Sequence, residues 1–297
     1  MCQPRPATGR SYPRPDMGAG WEVVVEGSSR LEAPCFDADG RLCFAERLPP
    51  GAVLRVEPDG SVTELAQTEH VGGLVPHAGG GLVVSARSVF VLEKDGTQRP
   101  VREAAGGWGF NDMTTDSAGN VFVGMHGERP TGQPPTVTAS LWRLAGDTPA
   151  IRCYDGIQLT NGLGISPDGS RLYHNDTTPR TVWVSDLDSE GLPVNRRAFF
   201  EMDEGGSPDG MAMDEAGCVW IAAIAAGQVV RLTPDGRPDL ILAAPASYSS
   251  SLCFGGSDLR DMYVVTFGGE PYDPGRSGGV YRTRVDVAGA RIIPATV

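Results

Sequence analysis

Glu32, Asn111, Asn161 and Asp209 each stand eight residues ahead of a turn glycine, namely Gly40, Gly119, Gly169 and Gly217. If folding gathers them, two carboxylates and two carboxamides form an all-oxygen site for a hard divalent cation such as Ca²⁺, Mg²⁺ or Mn²⁺, with Zn²⁺ also able to accept such ligands. Three protein ligands leave positions for water and substrate, the pattern of a catalytic rather than a structural metal. A lone Asn161-Gly162 or Pro208-Asp209-Gly210 is ordinarily a turn. Here both share the phase of Glu32 and precede an apolar run, so they read as convergent ligands.

Positions so far apart in the chain converge only if a repeat positions them. The same turn-then-strand unit recurs six times: Asp37-Ala38-Asp39-Gly40 leads into Leu42-Cys43-Phe44-Ala45, and Asp116-Ser117-Ala118-Gly119 into Val121-Phe122-Val123-Gly124. Equivalent units begin at Ala78, Pro167, Asp214 and Gly255. Each unit owns a further strand, such as Ala52-Val53-Leu54-Arg55-Val56 or Gln228-Val229-Val230-Arg231-Leu232. A period of about 40 to 50 residues with several short strands per unit is that of a propeller blade. The expected fold is all-β: a six-bladed β-propeller with four-stranded blades around a central channel. Residues eight before each turn position (Glu32, Gly72, Asn111, Asn161, Asp209 and Ser249) then ring one mouth of that channel. The residues after them are mostly small, as crowded backbones require. Trp21-Glu22-Val23-Val24-Val25-Glu26 reads as a strand that closes the ring by pairing near Val280, hiding a sheet edge.

The 297 residues divide into a loose arm over 1–20 and a single propeller domain over 21–297. Forty glycines, 24 prolines and a 40% hydrophobic content suit many short strands and turns. No apolar run reaches the roughly 18 residues of a membrane helix, and the arm lacks a signal-peptide core. A net charge of −12 without a Lys/Arg cluster argues against nucleic acid. The partner expected is a small molecule. The six cysteines show no CxxC spacing; Cys35, Cys43, Cys218 and Cys253 fall in expected strands and read as small buried hydrophobes, with the cytoplasm as default address.

The runs Leu31-Glu32-Ala33-Pro34, Phe110-Asn111-Asp112, Thr160-Asn161-Gly162-Leu163, Pro208-Asp209-Gly210-Met211 and Cys253-Phe254-Gly255-Gly256 resemble the regucalcin (SMP-30)/gluconolactonase family, in order and spacing, over nearly the whole chain after Gly20. The resemblance implies a six-bladed propeller that binds one divalent metal on its axis, Ca²⁺ before Zn²⁺, Mn²⁺ or Mg²⁺, and hydrolyses lactones. It makes Glu32, Asn161 and Asp209 the metal ligands, lets Asn111 contact substrate, and has Asp209 double as general base. Sugar-lactone hydrolases of this family carry an arginine two residues before the equivalent of Asn111. Here that position is Gly109, preceded by Trp108, which points to a less polar lactone or ester.

Further candidates follow from position. The third-blade loop from His126 to Ala139 leaves toward the same mouth, as does the segment over 267–277, and it puts His126 and Glu128 beside Trp108, Gly109 and Asn111 on the substrate side. Asp112 is a second candidate base, or a brace for Asn111. His126 and His174 are candidate acids or bases near strand ends, His70 and His77 weaker ones. No serine sits in a G-x-S-x-G elbow. The alternative is a non-hydrolytic propeller, a cyclase, lyase or metal-bound ligand carrier reusing the pocket.

Overall fold

Runs of four to seven apolar and β-branched residues, cut by Asp-Gly and Pro-Asp-Gly turns, are too short for anything but strands. The computed structural model describes residues 20–28, 30–103, 109–127, 138–269 and 277–297; most of the expected N-terminal arm lies outside them. Among the described residues, twenty-four strands form six four-stranded antiparallel sheets, a six-bladed β-propeller.

Strand β1 (Glu22–Ser28) comes first and belongs to the last blade. Blade 1 is β2 (Leu31–Phe36), β3 (Leu42–Glu46), β4 (Ala52–Val56) and β5 (Val62–Gln67); blade 2 is β6 (Gly73–Pro76), β7 (Leu82–Ser85), β8 (Ser88–Leu92) and β9 (Gln98–Glu103). Blade 3 is β10 (Phe110–Thr115), β11 (Val121–Met125), β12 (Ala139–Leu144) and β13 (Ile151–Ile157); blade 4 is β14 (Thr160–Ile165), β15 (Arg171–Asp176), β16 (Thr181–Leu187) and β17 (Pro193–Glu201). Blade 5 is β18 (Ser207–Met213), β19 (Val219–Ile224), β20 (Gln228–Leu232) and β21 (Pro238–Ala243). Blade 6 is β22 (Ser249–Gly255), β23 (Asp261–Thr266) and β24 (Gly278–Arg284), completed by β1 in the order β22-β23-β24-β1. Val25 pairs with Val280, so the first strand closes the ring at the expected place.

Each inner strand is buried nearly throughout, and outer strands such as β5 and β9 face water. The core lies between blades. Phe44, Phe122, Tyr173 and Trp220 are fully buried there, each contributing roughly 1.5–3 kcal/mol of apolar burial. The five described cysteines are free, with Cys35, Cys43 and Cys218 buried.

The C-terminal segment runs under the ring. Gly289 and Ala290 donate to Leu259 O and Met213 O, Thr115 donates to Ile293 O, and Ala295 and Thr296 donate to Pro76 O and Gly119 O. These contacts lie on the turns between first and second strands, the end away from the mouth, and the strap has no counterpart in the repeat. Among the described residues, no helix is long and apolar enough to cross a membrane.

Candidate active site

Five inner strands break register just where the ring residues stand. The irregularity falls between Glu32 and Cys35, Phe110 and Met113, Thr160 and Leu163, Pro208 and Met211, and Ser249 and Ser251. Blade 2, whose ring position is Gly72, pairs through β6 and β7 without a shift. A bulge turns a side chain out of the ladder, so the blades that present a side chain to the axis are those whose strands bend to do it. Beside Glu32, Ala33 takes φ 52°, a conformation costly for a residue with a Cβ and characteristic of functional sites.

The ring residues are buried: Glu32 and Asp209 are each 5% exposed, Asn111 3%, and Asp112 and Asn161 9%. The backbones crowd as expected; a Cβ on Gly162 would lie 2.6 Å from Asp209 O. Burial pushes the Glu32 carboxyl up to about 7 against the opposing pull of Arg47. Burial, and then the repulsion of Glu32, raises Asp112 well above the ordinary carboxylate range. Asp209 is raised by burial first, then by Glu32 and by Asp112. Three carboxyls thus stand in one another's field, with Arg47 the cation opposing all three. Such a set either holds protons or welcomes a cation.

The carboxamides are aimed by their neighbours. Asn111 Nδ2 donates to Thr160 O at 2.7 Å and also to Asn161 Oδ1. Asn161 Nδ2 donates to Thr177 Oγ1 at 2.6 Å, and that hydroxyl donates onward to Pro208 O at 2.7 Å. Asn175 Nδ2 reaches Asp209 O at 2.7 Å. Blades 3, 4 and 5 are therefore tied at the mouth, with Asn161 Oδ1 facing a donor. Among the described residues no three His, Cys, Asp or Glu side chains make a metal-holding group. The set Glu32, Asn161 and Asp209 supplies two carboxylates and a carboxamide, oxygen donors that fit a hard divalent cation.

Several sequence expectations resolve differently. His174 does not line the mouth: it is fully buried, with Thr160 Oγ1 2.7 Å from Nε2 and the Tyr154 hydroxyl 2.9 Å from Nδ1. Burial, then Arg196, pushes it down to about 3, so it stays neutral and bridges strands. His77 sits at the opposite end, its ring at 3.2 Å from Val297 O. His126 is at the mouth, its N–H donating to Gly109 O at 3.0 Å. Trp108, Glu128 and most of the candidate lid lie outside the described residues, as do 270–276.

Gly109 has φ 110°, and a Cβ there would meet Ala86 O at 2.5 Å. No L side chain fits without a backbone shift. Sequence reading missed Arg47, which follows β3 and sits 3.6 Å from Glu32 Oε1 through Nη1. It lies off the repeat phase, and its only signal was adjacency to the end of the strand paired with β2.

A six-bladed propeller with buried carboxyls and carboxamides converging on one axial mouth defines a class of small-molecule-binding propellers. The family model for the SMP-30/gluconolactonase/LRE-like region matches residues 31–268, and the chain belongs to that family. It is 32% identical over 286 residues to 6-deoxy-6-sulfogluconolactonase of Pseudomonas putida, covering 90% of this chain and 95% of that protein. It is also 32% identical over 273 residues to a pentonolactonase of Haloferax volcanii, covering 90% and 91%. A luciferin-regenerating enzyme structure superposes with TM-score 0.82 at 25% identity, covering 94% of this chain and all of that one. A calcium-binding regucalcin of Agrobacterium tumefaciens shares the fold with TM-score 0.82 at 20% identity, over 94% and 98%.

Proposed function

We propose that the protein is a metal-dependent lactone hydrolase whose cation is held by Glu32, Asn161 and Asp209. The observation that carries this reading is the convergence of Glu32, Asp112 and Asp209 in one buried field at the channel mouth. Support comes from the relatives named as lactonases, which cover nine-tenths of the chain, and from the calcium-binding regucalcin that shares its fold.

A bound divalent cation supplies Lewis acidity toward the ester carbonyl and offsets the charge of the carboxylates. The chain's own residues do the rest. The Asn111 N–H that meets Asn161 Oδ1 is released for a substrate oxygen once that carboxamide oxygen turns to a cation. Asp209 takes the proton of the attacking water, and burial, then the repulsion of Glu32 and of Asp112, keeps Asp209 basic enough to do so. Burial excludes bulk water from the cluster and strengthens each interaction within it.

A panel of sugar, aliphatic and aryl lactones tests this, each with added Ca²⁺, Mn²⁺ or Zn²⁺ and with chelator. Hydrolysis that chelator removes, a matching metal restores and Asp209→Ala abolishes is expected. Ligand binding without turnover of any lactone would instead favour a non-hydrolytic propeller.

A further inference from the structure

The loss of an arginine at position 109 does not leave the mouth without a forked donor. Among the described residues, Arg47 is the cation acting on Glu32, Asp112 and Asp209 alike. Its backbone is held on both sides: Arg47 N donates to Arg30 O at 2.8 Å, Gly51 N to Leu48 O at 2.7 Å, and Thr68 N to Gly51 O at 3.1 Å. Pro49 and Pro50 between them restrict the loop further. The side chain is 27% exposed, and Nη1 lies against the buried Glu32 carboxylate.

The Glu32 contact through Nη1 measures 3.6 Å, longer than the 2.7–2.9 Å of a close charge-assisted hydrogen bond. A guanidinium carries five N–H donors. Once Glu32 gives its oxygens to a cation, those donors face whatever enters the mouth. Blade 3 cannot supply the same group, because Gly109 is pinned with its Cβ direction against Ala86 O. Blade 1 can.

We infer that Arg47 is a specificity-determining residue that hydrogen-bonds a ring hydroxyl of a polyhydroxylated lactone. The inference rests on the lactonase reading and reverses the preference for less polar lactones that Gly109 alone suggests. A site built to bond a substrate oxygen discriminates strongly against substrates lacking it, because its own donors are then left unpaired.

The test compares wild type, Arg47→Ala and Arg47→Lys on a hydroxylated aldonolactone and on an unsubstituted lactone of the same ring size, all at saturating metal. The ratio of kcat/KM between the two is expected to fall about 30-fold in Arg47→Ala, mainly through KM on the hydroxylated ring, and to recover in part in Arg47→Lys. Calorimetric titration with Mn²⁺ should show the metal still bound, which a merely structural loss around Glu32 would not preserve. A wild type that opens both rings while Arg47→Ala loses neither, or both alike, overturns the assignment and leaves the lactonase reading standing. So does a wild type that opens only the unsubstituted ring. A wild type that opens neither overturns the lactonase reading and this assignment with it.

Discussion

The Asn111 side-chain amide donates to Asn161 Oδ1, the carboxamide oxygen proposed to meet the cation. A cation entering the ring competes with that N–H. Replacing Asn111 by Ala removes the competitor, so the dissociation constant for Ca²⁺ or Mn²⁺ should fall about 3- to 10-fold, the worth of one neutral hydrogen bond. Lactone turnover should fall at the same time, because the substrate donor is gone. Calorimetric titration alongside kinetics checks both halves.

Asp209 is buried beside Glu32 and Asp112, which disfavours its ionised form. Asp209→Asn should reduce kcat/KM by about 10³-fold. The metal-free variant should nevertheless melt about 2 °C or more above metal-free wild type at pH 8, because burial beside Glu32 and Asp112 makes an ionisable carboxyl costly there. Differential scanning calorimetry in chelator measures this; an aspartate that merely braced the strand would give a lower melting temperature.

Glu32 gives the clearest pH signature. Its folded pKa of about 7 lies above the ordinary 4.5, so between these values the folded state holds more protons than the unfolded one. The linkage slope is then negative, and metal-free stability attributable to Glu32 is lost as pH rises from about 4.5 through 7. Glu32→Gln should match wild type at pH 4 and exceed it by several degrees at pH 8. Saturating divalent cation should reverse the order at pH 8, since only wild type offers it the carboxylate.

His174 has the opposite sign. Held neutral with its folded pKa near 3 against an ordinary 6.5, it lets the unfolded state bind protons first, so its share of stability is lost as pH falls below about 6.5. His174→Gln should cost about 2 kcal/mol at neutral pH through the broken contacts to Thr160 and Tyr154, and the penalty should shrink toward pH 5. The limbs of the activity profile should stay where they are in wild type, as measured on a hydrolysed lactone.

What was readable from the chain was what repeats. A turn residue at fixed phase located the inner strands, and counting back eight residues found Glu32, Asn111, Asn161 and Asp209 because every blade presents that position to the axis. The closing strand was readable too, since an open propeller would expose an edge. Features outside the repeat were not. Arg47 stands in a loop unique to blade 1, Thr177 and Asn175 act through backbone carbonyls of the next blade, and the strap over 289–297 has no periodic signal. His174 was misplaced because β15 is buried on both faces, so alternation in the sequence could not show which way its ring points.

The most direct measurement is anomalous diffraction from a crystal of the protein soaked in Mn²⁺. One peak on the channel axis, with a carboxylate oxygen of Glu32, the Oδ1 of Asn161 and a carboxylate oxygen of Asp209 in its inner sphere at roughly 2.0–2.5 Å, is expected, with the Asn111 amide turned away from Asn161. No peak there at saturating Mn²⁺, or a peak that leaves any of the three side chains uncoordinated, would contradict it.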